Sequence, residues 1–333
     1  MLACALYFLH AVVGNGYSSP RVKEMFEAYK ERFGHDFGDD DDYRMAVFED
    51  NLRYIEEENA KGLSYTLKIT PFTHLTNAEF KDTMFGRFPE TQAPFGNVSN
   101  TFDFDGLVED LPKSVNYATK GWVTEVKNQG LCGSCWAFST TGALEGLHKN
   151  VSGELVSLSE EELIDCTWDY HNFGCFGGWM NVSFQYVADH GLESEKDYPY
   201  VSEYVPGYFS CHSDSSKDVI KAHSISHVNV KPKSRSSLLA AVASAGPVSV
   251  ALNGASNAFQ HYGGGVFDAE CYPAVNHAVL TVGYDMGTAK PYYLVKNSWG
   301  TSWGEEGYIK IAIDDSPEGI CGILLAPSYP VKA

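Results

Sequence analysis

Cysteine placement constrains this chain more than any other feature. Of eight cysteines, one stands at position 4 and the rest are Cys132, Cys135, Cys166, Cys175, Cys211, Cys271 and Cys321. The N-terminal third must therefore fold without cross-links, while the remainder carries seven thiols, an odd number. In an oxidising compartment six of these can close three disulfides and leave one thiol over. The compartment is suggested by the start of the chain. Leu2–Val13 is apolar, a length suited to a signal-peptide core and too short to span a membrane. Residues 1–16 are read as a signal peptide whose removal takes Cys4 with it. The expected route is secretory, ending in a lysosome, a similar acidic vacuole or the extracellular space.

Two further segments follow. Residues 17–110 read as a helical, charged unit. Ser19-Pro20 suits a helix N-cap followed by proline at the first helical position. Val22, Phe26, Tyr29 and Phe33 then recur at three- and four-residue spacing before Gly34. After the acidic run Asp39–Asp42, a second helix presents Phe48, Leu52 and Ile55 on one face. Residues 94–110 read as a linker open to processing. Residues 111–333 are richer in Gly, Tyr and Trp. Helices are expected over Cys135–Lys149, over Glu160–Asp165 behind a Ser159/Glu162 capping box, and over Gly178–Asp189. Strands are expected over Pro247–Leu252, His277–Tyr284, Tyr292–Lys296 and Gly307–Ile313. Helices first and strands later predict an α+β protein, a helical lobe against a β lobe with a cleft between them.

Composition excludes some partners. The chain of 333 residues is 44% hydrophobic and 20% charged, the balance of a soluble globular protein. Its formal net charge of -19 and the lack of a basic stripe argue against nucleic acid. No second apolar run approaches membrane-spanning length, so no membrane anchor is expected.

The segment Gln129-Gly-Leu-Cys-Gly-Ser-Cys135-Trp-Ala-Phe-Ser139 carries the strongest chemical signal. Asn276-His277-Ala-Val and Lys296-Asn297-Ser-Trp299-Gly agree with it. The chain resembles the papain family of cysteine peptidases, cathepsin L-like subgroup. From Cys135 to His277 is 142 residues, inside the family window of about 130–150, and Asn297 lies 162 on, somewhat beyond it. The resemblance implies a papain-like two-lobed fold with an antiparallel, barrel-like β lobe, preceded by a helical inhibitory pro-domain. It makes Cys135 the nucleophile, His277 its partner, Asn297 the residue orienting His277, and Trp299 the shield of that hydrogen bond. Gln129 is to donate to the oxyanion. Asn276 departs from the pattern, since many relatives carry Asp there.

A C-x-x-C reading of Cys132 and Cys135 as a redox pair or zinc half-site is the rival chemistry. Zinc lacks a second ligand pair at short spacing. The resemblance instead pairs Cys132 with Cys175, Cys166 with Cys211, and Cys271 with Cys321. No metal or cofactor is expected. Residues 40–59 resemble the subgroup's pro-segment helix, with Arg44, Phe48, Asn51, Ile55 and Asn59 in place. The second pro-segment motif is eroded to Phe72, and His74 stands where Asp is usual. The pro-segment is expected to act as an intramolecular inhibitor, and the mature chain to begin within a few residues of Leu111.

Resemblance places Trp179, Met180, Ala251, Val275 and Ala326 around the pocket for the second residue before the scissile bond. Gly177 and Gly178 would let a substrate backbone approach. No loop that would close the cleft to exopeptidase use is present. A monomeric endopeptidase acting on proteins and peptides is expected. Sequons at Asn97, Asn150 and Asn181 permit glycosylation, with Asn150 expected in a turn after a helix.

Overall fold

The structure is a computed structural model that describes residues 19–85, 100–203 and 210–333. The signal-peptide reading, Asn97 and part of the linker lie outside the described residues. The N-terminal unit consists of helix α1 (Pro20–Phe33), helix α2 (Asp41–Ala60), strand β1 (Tyr65–Leu67) and helix α3 (Asn77–Met84). Ser19 Oγ caps α1 by accepting from Val22 N, and Gly34 closes it in the left-handed conformation. Val22, Phe26, Tyr29, Phe48 and Leu52 form a small core between α1 and α2. A capping box of Thr76 and Glu79 starts α3.

The rest divides into two lobes. Helices α4 (Cys135–Ser152), α5 (Glu160–Cys166) and α6 (Met180–His190) make the first. Disulfides Cys132–Cys175 and Cys166–Cys211 cross-link it. The second lobe is built on a sheet with helices α7 (Arg235–Ala245) and α8 (Asn257–Gln260), and holds the Cys271–Cys321 disulfide. Its strands are β2 (Thr101–Phe102), β3 (Ser114–Asn116), β4 (Ile225–Val230), β5 (Val248–Leu252), β6 (Tyr262–Phe267), β7 (His277–Asp285), β8 (Tyr292–Lys296), β9 (Tyr308–Ala312) and β10 (Ser328–Lys332). The order is β1-β6-β9-β8-β7-β5-β10-β4-β2, with β3 paired to β7. Pairing is antiparallel except β6 with β9 and β2 with β4, so the sheet is mixed.

Segments before Leu111 thus flank this sheet at both ends. At one end β1 pairs with β6, where Tyr65 faces Gly265. A Cβ on Gly265 would lie 2.5 Å from Ser64 O, and its φ is +82°, so only glycine permits this approach. Two asparagines of α2 hold the segment that follows it. Asn59 exchanges hydrogen bonds with Leu67 N and O, and Asn51 Nδ2 donates to Thr73 O and Leu75 O. Ile55, Tyr65, Leu67, Phe80 and Met84 join the core of the β lobe itself.

Three local expectations need correction. Residues 100–110 are not a free linker: β2 pairs with β4, and Asp103 bridges Lys231. The α5 capping box is half formed. Ser159 Oγ accepts from Glu162 N, but the Glu162 carboxylate accepts from Glu193 N and Tyr186 Oη, leaving Ser159 N to Glu193 O. Asn150 lies exposed in the last turn of α4 rather than after it, because that helix runs on to Gly153, its left-handed cap.

Phe26 is fully buried against Phe48 and Phe37 in the α1–α2 core, apart from the core shared with the β lobe. Phe26→Ala should cost the N-terminal unit about 3–5 kcal/mol. Calorimetry of the full chain should show its transition moved down while that of residues 111–333 holds; a shift of both together would refute an independent pro-segment core.

Candidate active site

Cys135 opens α4, and Ala278 N, second residue of β7, donates to its Sγ at 3.4 Å. The first turn of the helix from one lobe thus meets the first strand turn of the other. His277 and Cys135 are both buried at this junction. Cys135 is the one free thiol among the described residues, since Cys132 is bonded to Cys175; the redox-pair alternative has no second thiol.

The hydrogen bonds fix the imidazole tautomer. Asn297 Oδ1 accepts from Ser298 N at 2.8 Å, so the atom there must be the oxygen. His277 Nε2, 2.8 Å from the same oxygen, therefore donates to it. Nδ1 is left as the nitrogen without a hydrogen-bond partner. The Trp299 ring lies over His277, with centroids 4.6 Å apart and planes 21° from parallel. Phe72, Phe80 and Phe259 pack edge-on against Trp299, which keeps water from the Asn297–His277 bond.

Gln129 is oriented by Ser298. Ser298 Oγ donates to Gln129 Oε1 at 2.7 Å, and Gln129 N donates to Ser298 O. The Gln129 amide N–H groups must then face the other way. Nε2 donates to Cys132 O at 2.9 Å and to Met84 O at 3.4 Å. Met84 ends α3, so a backbone carbonyl of the N-terminal unit occupies the Gln129 amide. Phe85, next in the chain, covers His277 edge-on at 5.5 Å.

Burial under this cover sets the charge state. The Cys135 thiol is pushed up to about 11 by loss of solvent, against the lowering effect of backbone N–H groups including that of Ala278. The His277 imidazole is pushed down to about 4 by the same burial, against the hydrogen bond to Asn297. The covered site therefore holds a neutral thiol beside a neutral imidazole.

Trp179, Met180, Ala251 and Ala326 are buried in one apolar cluster with Cys135 and Ala278, and Val275 packs on its edge. The two glycines before them serve different ends. Gly177 takes φ +120°, while a Cβ on Gly178 would lie 2.5 Å from Asn172 Oδ1 and 2.8 Å from Trp136. A side chain at Gly178 would thus collide with Asn172 and Trp136.

One group of residues escapes the motif reading. Lys127 Nζ donates to Glu160 Oε1 at 2.7 Å, Glu145 Oε1 at 3.3 Å and Leu158 O. Lys296 Nζ donates to Thr124 O and Oγ1. Despite burial, which alone raises it, the Glu145 carboxyl is held low by Lys127 and Lys296. The network ties α4 to the strand end that carries Asn297. Its sequence signal is Glu145, the single charge in the otherwise uncharged stretch Cys135–Leu147.

A cysteine at a helix start, an Asn-held histidine across a lobe junction and a helical segment lying over both define a cysteine protease in precursor form. Comparison with known proteins gives the family. Residues 111–331 match the papain family cysteine protease model, and residues 26–80 the cathepsin propeptide inhibitor domain. Digestive cysteine proteinase 2 of Homarus americanus is 41% identical over 317 residues, 92% of this chain and 94% of that one. Papaya proteinase 4 of Carica papaya is 39% identical over 322 residues, 95% of this chain and 88% of that protein. Digestive procathepsin L 3 of the Tenebrio molitor larval midgut superposes with TM-score 0.83 at 35% identity, covering 93% of this chain and 99% of that one. The chain belongs to the papain family, and is the zymogen of a papain-like cysteine endopeptidase whose own pro-segment is its inhibitor.

Ser298→Ala should free the Gln129 amide to turn over. The loss of one hydrogen bond, about 1 kcal/mol, predicts a roughly five- to tenfold fall in kcat/KM of the matured enzyme. Ser298→Thr should restore most of it. An unchanged kcat/KM in Ser298→Ala would show that this bond does not set the amide.

Proposed function

We propose that Cys135 is the nucleophile and His277 the acid–base partner of peptide-bond hydrolysis, with Asn297 orienting His277 and Gln129 donating to the oxyanion. The observation that carries this reading is the lodging of Met84 O on Gln129 Nε2 at 3.4 Å. A carbonyl there is polarised by the Gln129 amide. Once the pro-segment leaves, water reaches the pair and the desolvation that kept it neutral is relieved. The helix N-terminus and the Ala278 N–H then favour a thiolate, and the proton moves to His277 Nδ1.

The thiolate attacks the scissile carbonyl, and the oxyanion takes hydrogen bonds from Gln129 Nε2 and Cys135 N. Collapse breaks the C–N bond as Nδ1–H protonates the departing amine. His277 then deprotonates a water that attacks the thioester, which releases the acid and regenerates thiolate and imidazolium.

The mature enzyme on this reading begins within a few residues of Leu111, after loss of a signal peptide (1–16) and the pro-segment (17–110). It works as a monomer in an acidic vacuole, a lysosome or the extracellular space, where low pH promotes activation. Asn150, exposed at the end of α4, is the favoured glycosylation site. The pocket of Trp179, Met180, Ala251, Val275 and Ala326 takes a large apolar or aromatic side chain two positions before the cut.

Cys135→Ala should give a folded precursor that never processes itself, because only the sulfur is lost from an apolar surrounding. Intact mass after incubation at low pH should stay that of the precursor. Peptide hydrolysis by this variant after removal of the pro-segment in trans would exclude Cys135 as nucleophile. Ala326→Glu should raise kcat/KM for substrates with Arg at the second position by about tenfold or more, through a paired charge. A peptide-library profile in which the wild type already prefers Arg would overturn the pocket assignment.

A further inference from the structure

Away from the cleft, the pro-segment holds two histidines in contact. His35, just after α1, and His74, in the turn before α3, have ring centroids 4.4 Å apart. Both rings are half-buried. The Tyr29 hydroxyl lies between them, 2.6 Å from His74 Nδ1, 3.3 Å from His35 Nε2 and 2.9 Å from Pro71 O. Phe37 packs on both imidazoles, and Phe33 on His35.

The charged groups around the pair leave it without a counter-ion. Arg44 of α2 donates to His74 O at 3.2 Å and adds positive charge. Glu79 of α3 is taken up by Arg44 at 2.9 Å and by Thr76. Asp36, next to His35, accepts from Gly38 N. Among the described residues neither imidazole is hydrogen-bonded to a carboxylate.

The turn that carries His74 is also a point of attachment to the peptidase. Gln260 Nε2 donates to Phe72 O at 3.1 Å and Leu75 O at 3.0 Å, and Thr70 Oγ1 donates to Gln260 O. The Phe72 ring packs edge-on to Trp299, the ring that covers His277. Whatever loosens residues 70–76 therefore loosens the cover of the active site.

We propose that the His35–His74 pair is an acid-sensitive latch: a proton entering the pair loosens the turn at residues 70–76 from Gln260 and Trp299 and uncovers the cleft. The proposal rests on the zymogen reading. A proton on either ring puts a positive charge next to the other imidazole and Arg44, in surroundings lined by Tyr29, Phe33 and Phe37. Burial holds the His74 imidazole down, to about 3, with His35 and Arg44 adding to the effect and Pro71 O and Glu79 opposing it. His35 is lowered too, by burial, against its contact with Pro71 O.

The sign follows from linkage. A folded-state value below the unfolded one of about 6.5 means that the unfolded segment binds more protons in acid. The stabilisation is complete above about pH 6.5 and is lost as pH falls toward the folded-state value. One linked proton over two pH units changes the opening equilibrium about 100-fold.

The test uses the full-length Cys135→Ala precursor, which by the assignment above cannot cleave itself. Amide hydrogen exchange across residues 20–85 would be followed from pH 7 to pH 4.5 and compared, at each pH, with the same protein carrying His35→Gln and His74→Gln. Between pH 6.5 and 4.5 opening should increase up to about 100-fold more in the protein with both histidines. Parallel profiles would overturn the latch. Should the double variant fail to fold, NMR titration of the His74 imidazole in the Cys135→Ala precursor decides. A ring still neutral at pH 5 supports the proposal, and an ordinary value near 6.5 overturns it. A wild-type chain that never cleaves peptides would sink the protease reading while leaving this measurement intact.

Discussion

The hydrogen bonds between Ser298 and Gln129 tie the molecule's two halves together at the site itself. Gln129 belongs to the loop that leads into α4, Ser298 to the segment leaving β8. Ser298 O accepts from Gln129 N, its Oγ donates to Gln129 Oε1, and its own N–H fixes Asn297 Oδ1. One residue therefore sets the direction of an amide in one lobe and the tautomer of an imidazole in the other. Hydrogen bonds of this kind are worth only about 1 kcal/mol each, but broken ones would leave Gln129 Oε1 and Asn297 Oδ1 buried with fewer partners. A buried polar chain crosses the same seam: Lys296 at the end of β8 donates to Thr124, whose hydroxyl donates to Glu145 of α4, and opening it would leave those groups unpaired out of water.

Latency follows from the same seam being covered. Met84 O sits on Gln129 and Phe85 covers His277, and beneath them Cys135 and His277 are buried. A thiol and an imidazole without water stay neutral, whereas the same pair with water at one side can exchange a proton. On the proposed chemistry, inhibition and ground-state inactivation are a single act of burial. The pro-segment can do this because its apolar residues Phe80 and Met84 join the core of the β lobe, so the cover is held by ordinary hydrophobic packing.

Much of this was legible in the sequence where chemistry demands particular residue types. Cys135, His277, Asn297 and Gln129 carry the pattern of the family, and Ser19-Pro20 or the period of Val22, Phe26 and Tyr29 announces α1 through capping and amphipathicity. What stayed hidden has physical causes. β6 contains Gly263-Gly264-Gly265, a poor strand former by propensity, and becomes a strand because another backbone must come close enough to pair with it. β4 and β10 carry little strand signal because their alternation is weak; β10 even holds Pro330. Residues 100–104 look like a linker by composition, and only the unpaired edge of β4 makes them a strand. Glu162 looks like a capping partner for Ser159, but the nearby Glu193 N–H and Tyr186 hydroxyl take its carboxylate.

Edge pairing also explains how a segment of modest size holds the enzyme shut until it is removed. β1 extends the sheet beyond β6 and β2 extends it beyond β4, so the segments before Leu111 flank the sheet at both ends. Each contact is short and would be weak alone. Between them the chain passes Met84 and Phe85, the residues over the active site. Anchoring on both sides raises the effective concentration of that cover at the site without any strong local contact there. The consequence is asymmetric. Loosening either anchor leaves the cover tethered by the other, so it can return; cutting the chain near Leu111, beyond both, converts a reversible opening into a permanent one. An acid-sensitive turn on the β1 side would supply the first event, and that proteolysis the second.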